Sequence, residues 1–179
     1  MGRYSIVEPD EKILESLKDS KSKSTLIVGC VHCANISIGY DNDLPIFHMT
    51  HDKKTGIKSS KPVAVIKEAE RLKKLLESHG MDACIEAFPL ICAAVESNDA
   101  EILLPMGFPP YLRDRDVDTV LALTCTGEGL TGVKRMVRDG VKVIPGMRTV
   151  GSHEPVLSFD AASGDVFVDW DKSIFKRRQ

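Results

Sequence analysis

The sequence predicts an α/β fold: a Rossmann-like, mainly parallel sheet flanked by helices, with a C-terminal β-hairpin. Three observations predict it. Two continuous apolar runs rich in β-branched residues, 25–29 and 117–125, read as strands covered on both faces. Amphipathic helical patterns alternate with such runs, the arrangement that joins parallel neighbours by crossovers. Near the end, "PVLSFDAASGDVFVDW" (155–170) alternates around "ASG", as a hairpin does. A chain of 179 residues with 42% hydrophobic content suits one α/β domain, 1–179, able to bury a core without staples.

Each element has its own signal. "EPDEKILESLKDSKSKS" spaces Ile13, Leu14 and Leu17 helically, with acids early and lysines late, as the helix dipole favours. "TLIVG" (25–29) follows as the first buried strand. From Ile38 to Ser60 no period is sustained, so this stretch reads as a long loop, functional or mobile. "KPVAVIKEAERLKKLLESHG" then aligns Val63, Ile66, Ala69, Leu72, Leu75 and Leu76, with Pro62 at its start and Gly80 at its end. "MDACIEAFP" reads as a strand, Leu90–Leu104 as a helix and "VDTVLALTC" (117–125) as a strand. A glycine turn "TGEG", a helix over "LTGVKRMVRDG" and a short strand "KVIPG" complete the alternation.

The balance of charge excludes several partners. With 24 Lys and Arg against 26 Asp and Glu, the net charge is -2, which gives nucleic acid or an anionic membrane surface no purchase. Lys176, Arg177 and Arg178 read as a solvated basic tail. No run of about 18 apolar residues exists, and the first residues lack the apolar centre of a signal peptide. The expected compartment is the cytoplasm.

Thiols there stay reduced, and five cysteines cannot pair completely, so metal or redox chemistry comes before disulfides. Cys30 and Cys33 form a C-x-x-C just past the first strand, and Cys125 closes a later one. Cys92 follows a third strand, in "MDACIEAFPLIC". Parallel sheets gather ligands at the carboxyl ends of their strands, so these four thiols can converge on one rim. A close pair completed by distant single cysteines is a tetrahedral thiolate set, and zinc and iron-sulfur sites both accept it. Cys84 sits mid-strand and reads as a packing residue.

Other readings carry less. A thioredoxin-like dithiol needs its thiol at a helix N-terminus, whereas "CVHCANISIG" leads into a glycine and an acidic loop. His48 and His51 in "FHMTH" suit zinc only on a helix; His32 reads as a neighbour of a metal site or a solvent-facing residue. "TCTGEGLTG" fits neither phosphate-loop pattern and instead lets amides approach whatever Cys125 holds. No Ser/His/Asp order supports a hydrolase. A metal-free small-molecule site, with the 38–60 loop closing over the strand ends, is a further reading.

Taken together, "PDEKILESLKDS", "LIVGCVHCA", the isolated Cys92, "VLALTCTGEG" and "VIPGMRTVG" resemble, in that order, a known domain. It is the iron-sulfur domain of the small subunit of bacterial methylenetetrahydrofolate reductase, the methylenetetrahydrofolate reductase C-terminal family. The resemblance covers about residues 9–151, leaving the hairpin and basic tail, 152–179, outside it. It implies that Cys30, Cys33, Cys92 and Cys125 ligate a 4Fe-4S cluster. It also implies a non-catalytic electron-transfer subunit whose partner is a flavin-dependent methylenetetrahydrofolate reductase subunit or similar redox protein in one-carbon metabolism. The alternative is a zinc-binding scaffold or interaction module using the same four cysteines. This chain departs from the family in two ways. It has no cysteine after Gly151, and its pair encloses Val31 and His32 where the family tends to have small residues.

Overall fold

The computed structural model describes residues 2–51, 58–88 and 116–178. In chain order its elements are β1 (Gly2–Val7), α1 (Asp10–Asp19), β2 (Ser24–Cys30), α2 (Cys33–Asn42), β3 (Phe47–His51), β4 (Lys58–Pro62) and α3 (Ala64–Ser78). Then come β5 (Asp82–Phe88), β6 (Thr119–Leu123), α4 (Glu128–Met136), β7 (Lys142–Pro145), β8 (Met147–Glu154), β9 (Leu157–Asp160), β10 (Asp165–Val168) and β11 (Ile174–Arg177).

The strands form three sheets, and this overturns the Rossmann-like, mainly parallel expectation. One sheet, ordered β5-β2-β6-β7, is parallel throughout. The other two, β1-β8-β11 and β4-β3-β10-β9, are antiparallel and hold seven of the eleven described strands. The physical reason lies in what each kind of strand shows in sequence. Strands buried on both faces write continuous apolar runs, as β2 and β6 do. Segments such as "KSSKP" and "IFKR" carry little apolar signal, and only pairing with distant chain makes them strands. The expected hairpin is β9 and β10 around 161–164, but it forms one edge of a larger sheet.

The 38–60 loop is also corrected. It contains the end of helix α2 and most of the β3–β4 pair. Helix α2 escaped notice because Ala34 through Gly39 are all buried, and a helix buried all round has no polar face to reveal its period. A Cβ on Gly39 would overlap the Ile46 side chain, so the glycine sets how closely this helix packs. The supposed basic tail is strand β11, paired to β8, and Arg178 N–H extends the pairing to Val150 O at 2.7 Å. The expected helix over 90–104 and Cys92 lie outside the described residues.

The main core joins Ile13 and Leu17 of α1, Leu26 to Val28 of β2, Leu72 and Leu76 of α3, and Val120 to Leu123 of β6. Each such buried leucine contributes on the order of 2 kcal/mol. Helix α3 ends in a Schellman turn. Gly80 adopts φ +75°, and the Gly80 and Met81 N–H groups donate back to Glu77 and Leu76 carbonyls. A smaller cluster of Ile36, Ile46 and Val168 packs with Tyr40, Phe47, Val166 and Phe175. No helix among the described residues is long and apolar enough to cross a membrane.

At the amino end of the parallel sheet, exposed Asp118 accepts hydrogen bonds from Lys23 N at 2.9 Å, Ser22 Oγ at 3.0 Å and Ser24 N at 3.3 Å. Burial pushes its carboxyl up, but these donors, with Thr119, hold it net below the ordinary carboxylate value. A depressed folded pKa contributes stability above the unfolded value and loses it as pH falls. Acidification from about pH 5 to 3 is therefore expected to lower the melting temperature less in Asp118→Asn than in wild type. Equal acid sensitivity of the two proteins contradicts this.

Candidate functional site

The parallel sheet positions the thiols. Strand β2 ends at Cys30, in register with Phe88, the last residue of β5, and the Val31 N–H continues the pairing to Phe88 O at 2.9 Å. On its other side, Gly29 is in register with Leu123 at the end of β6, two residues before Cys125. Cys30, Cys33 and Cys125 therefore lie at the carboxyl rim of two adjacent strands. Cys92 falls outside the described residues; in sequence it comes four positions after Phe88. Among the described residues, no group of three or more His, Cys, Asp or Glu side chains comes together to hold a metal ion.

Cys33 opens helix α2, and its sulfur sits among donors. Burial pushes its thiol pKa up. His153 beside it, the Arg3 backbone N–H and its own backbone N–H outweigh that and hold the thiol below its ordinary value. His32 Nδ1 lies 3.3 Å from Cys33 Sγ. The objection to a thiol at a helix N-terminus thus fails, because α2 begins at Cys33. Cys30 and Cys125 are both buried. Around Cys125 the glycine turn leads into α4. A Cβ on Gly129 would meet Cys125 Sγ at 3.0 Å and Thr124 Cβ at 2.9 Å, so this glycine keeps a methyl off the sulfur.

A polar relay ties both cysteine segments to the β1-β8 sheet. Ser37 Oγ donates to Cys33 O at 2.8 Å and accepts from Ser5 N at 3.2 Å. Ser5 Oγ lies 3.0 Å from Thr149 Oγ1. Thr149 and Thr126 exchange backbone-to-hydroxyl bonds at 2.9 and 3.2 Å, immediately after Cys125. Sequence reasoning missed Ser5, Ser37, Thr126, Thr149 and His153. Their partners are far away in the chain, and isolated hydroxyls carry no periodic signal.

His153 on β8 is only 2% exposed, and neither of its ring nitrogens has an aligned hydrogen bond. An unsatisfied buried polar group of this kind costs about 1–3 kcal/mol.

The remaining candidates separate from this rim. Cys84 lies mid-strand in β5, its Sγ 3.9 Å from the Thr25 carbonyl oxygen, and packs against the core. His48 and His51 stand on strand β3, where residues three apart point to opposite faces, so the helical condition for a shared ion is not met. His48 Nδ1 instead pairs with Asp165 Oδ1 at 2.8 Å. A cavity of about 450 Å³, lined by Met49, Thr50, His51, Lys58, Phe159 and Val166, shares no residue with the thiols.

Fold and site together define a mixed α/β protein with thiols at the carboxyl rim of a short parallel sheet. Comparison of the chain with family models, with curated proteins and with solved structures finds no match.

Proposed function

We propose that this protein holds a 4Fe-4S cluster through Cys30, Cys33, Cys92 and Cys125 and serves as a non-catalytic electron-transfer subunit. One observation carries the reading: β5, β2 and β6 are neighbours in a parallel sheet, and each runs within a few residues into one of these thiols. The surroundings of two of these sulfurs support the reading, while Cys30, Cys33 and Cys125 do not themselves come together as a group that could hold an ion. N–H groups hold the Cys33 thiol below its ordinary value, and glycine leaves space at Cys125 Sγ. Amide-to-sulfur hydrogen bonds of this kind tune a cluster's potential.

When bound, the cluster would supply one-electron redox chemistry. The chain's own part is to present thiolates from rigid strand ends, with the Ser37–Ser5–Thr149–Thr126 relay holding the two cysteine segments in fixed relation. The partner, by the resemblance of the motifs, is a flavin-dependent methylenetetrahydrofolate reductase subunit or a similar redox protein of one-carbon metabolism. The compartment is the cytoplasm, where thiolates stay reduced.

Anaerobic expression is expected to yield brown protein with about four irons per chain. Cys92→Ala is expected to lose the iron, and Cys84→Ala to keep it. Colourless, iron-free anaerobic protein overturns the reading. One zinc per chain instead would make the same four thiols a structural scaffold, with chelation then removing on the order of 10 kcal/mol of apparent binding energy.

A further inference from the structure

The cavity of about 450 Å³ on the β4-β3-β10-β9 sheet lies apart from the thiols. Residues directly opposite in a ladder stand on the same side of a sheet, and alternate residues of a strand share a face. His51 opposes Lys58, Phe47 opposes Val166, and Val166 opposes Phe159. Met49, His51, Lys58, Phe159 and Val166, all lining the cavity, therefore share one face with Phe47. At one end that face is covered, because Phe47 and Val166 pack with Ile36 of α2 in the smaller core cluster. Past Val166 the cover stops: Met49 is 37% exposed and Phe159 60%. Apolar side chains left open on a cavity wall gain their burial only from something that enters it. At the far end stand Lys58 and His51. Among the described residues neither side chain has an ion pair or hydrogen bond, and no carboxylate lines the cavity. Small-molecule pockets of about 300–1,000 Å³ have this make-up, an apolar lining with a few polar groups that fix orientation.

We propose that this cavity binds a small amphipathic carboxylate. Its apolar body lies against Val166, Met49 and Phe159, extending the Ile36 cluster over the open part of the face. Its carboxylate accepts a charge-assisted hydrogen bond from the Lys58 ammonium, with the His51 ring as a second partner. One ammonium matches a singly charged head. No residue of this site belongs to the cysteine rim, so the proposal stands independently of the cluster reading.

Octanoate is the probe, with octan-1-ol as its uncharged counterpart, each titrated into the full chain and followed by calorimetry. Octanoate is expected to bind saturably, and octanol about tenfold more weakly. Lys58→Met is expected to lower the octanoate affinity about tenfold and to leave that for octanol unchanged. Phe159→Ser is expected to weaken both about fivefold or more. Both side chains are exposed, so neither substitution touches the core. Absence of saturable octanoate binding, equal affinities for octanoate and octanol, or a wild-type octanoate affinity in Lys58→Met overturns the proposal. So does self-association that Phe159→Ser abolishes, which would make a second copy of the chain the occupant.

Discussion

Replacing Asn35 with alanine is expected to destabilise the protein by about 2–4 kcal/mol, a fall in melting temperature of roughly 5–15 °C. Asn35 lies in α2, is fully buried, and uses both ends of its amide. Its Nδ2 donates to Ile46 O at 2.6 Å, and its Oδ1 accepts from Val65 N at 2.9 Å. Val65 is in the first turn of α3, whose N-cap residue, Val63, supplies no side-chain cap. Asn35 therefore caps α3 from a different helix. Alanine leaves the Val65 N–H buried and unpaired, which costs the full desolvation of that group, and it also opens a small cavity. The Ile46 carbonyl still accepts from Val63 N at 3.0 Å, so only one backbone group is orphaned.

Chemical denaturation measures this loss, with an unchanged slope indicating that stability alone has moved. Asn35→Leu separates the causes, since leucine refills the volume without accepting a hydrogen bond. It is expected to remain destabilised by more than 1 kcal/mol. Wild-type stability in Asn35→Leu contradicts the hydrogen-bond account.

Gly151→Ala is expected to detach strand β11, at a cost of about 3 kcal/mol or more. Gly151 lies in β8, between Tyr4 of β1 and Arg177 of β11. The β1–β8 ladder shifts register between Tyr4 and Ser5, next to this glycine. A Cβ there would fall on the Lys176 carbonyl oxygen, 2.8 Å from the carbonyl carbon and 3.0 Å from Arg177 Cα. These are backbone atoms, so no change of rotamer relieves the overlap. The pairing has to open.

Opening releases Phe175, which stacks on Tyr40 at 3.5 Å and meets Tyr4 edge-on at 5.0 Å. Tyr40 in turn stacks on Trp170 at 4.1 Å. Trp170 is the only tryptophan, so its emission reports the event directly. Gly151→Ala is expected to shift that emission and to abolish amide-exchange protection over 174–177. Unchanged emission together with full protection contradicts the prediction. Loss of Phe175 also removes one support of the His153 ring.

Elements with a local signature were legible in the sequence. Helix α3 showed its apolar stripe and its terminal glycine, and β2 and β6 showed their apolar runs. The β9–β10 hairpin showed its turn residues. Helix α2 was hidden because Ala34 through Gly39 are all buried, β1 because its partner β8 lies some 140 residues further on, and β8 and β11 because their pairing carries no local turn signal. The same division runs through the site. Cysteines at strand ends are visible as a strand pattern followed by a thiol. His153 is not, since nothing around "VGSHEP" announces that Gly2 and Phe175 will enclose its ring.

By itself the sequence determined where apolar strands stop and where thiols follow them, because burial on two faces and the chemistry of a turn act over a few residues. Only the tertiary structure decided that the parallel strands form one sheet among three, that the ends of the chain pair across β8, and that Gly2 and Phe175 enclose the buried His153 ring. Those facts rest on strand register between residues some twenty to a hundred and fifty positions apart, and hydrogen bonds along a ladder leave no trace in local composition.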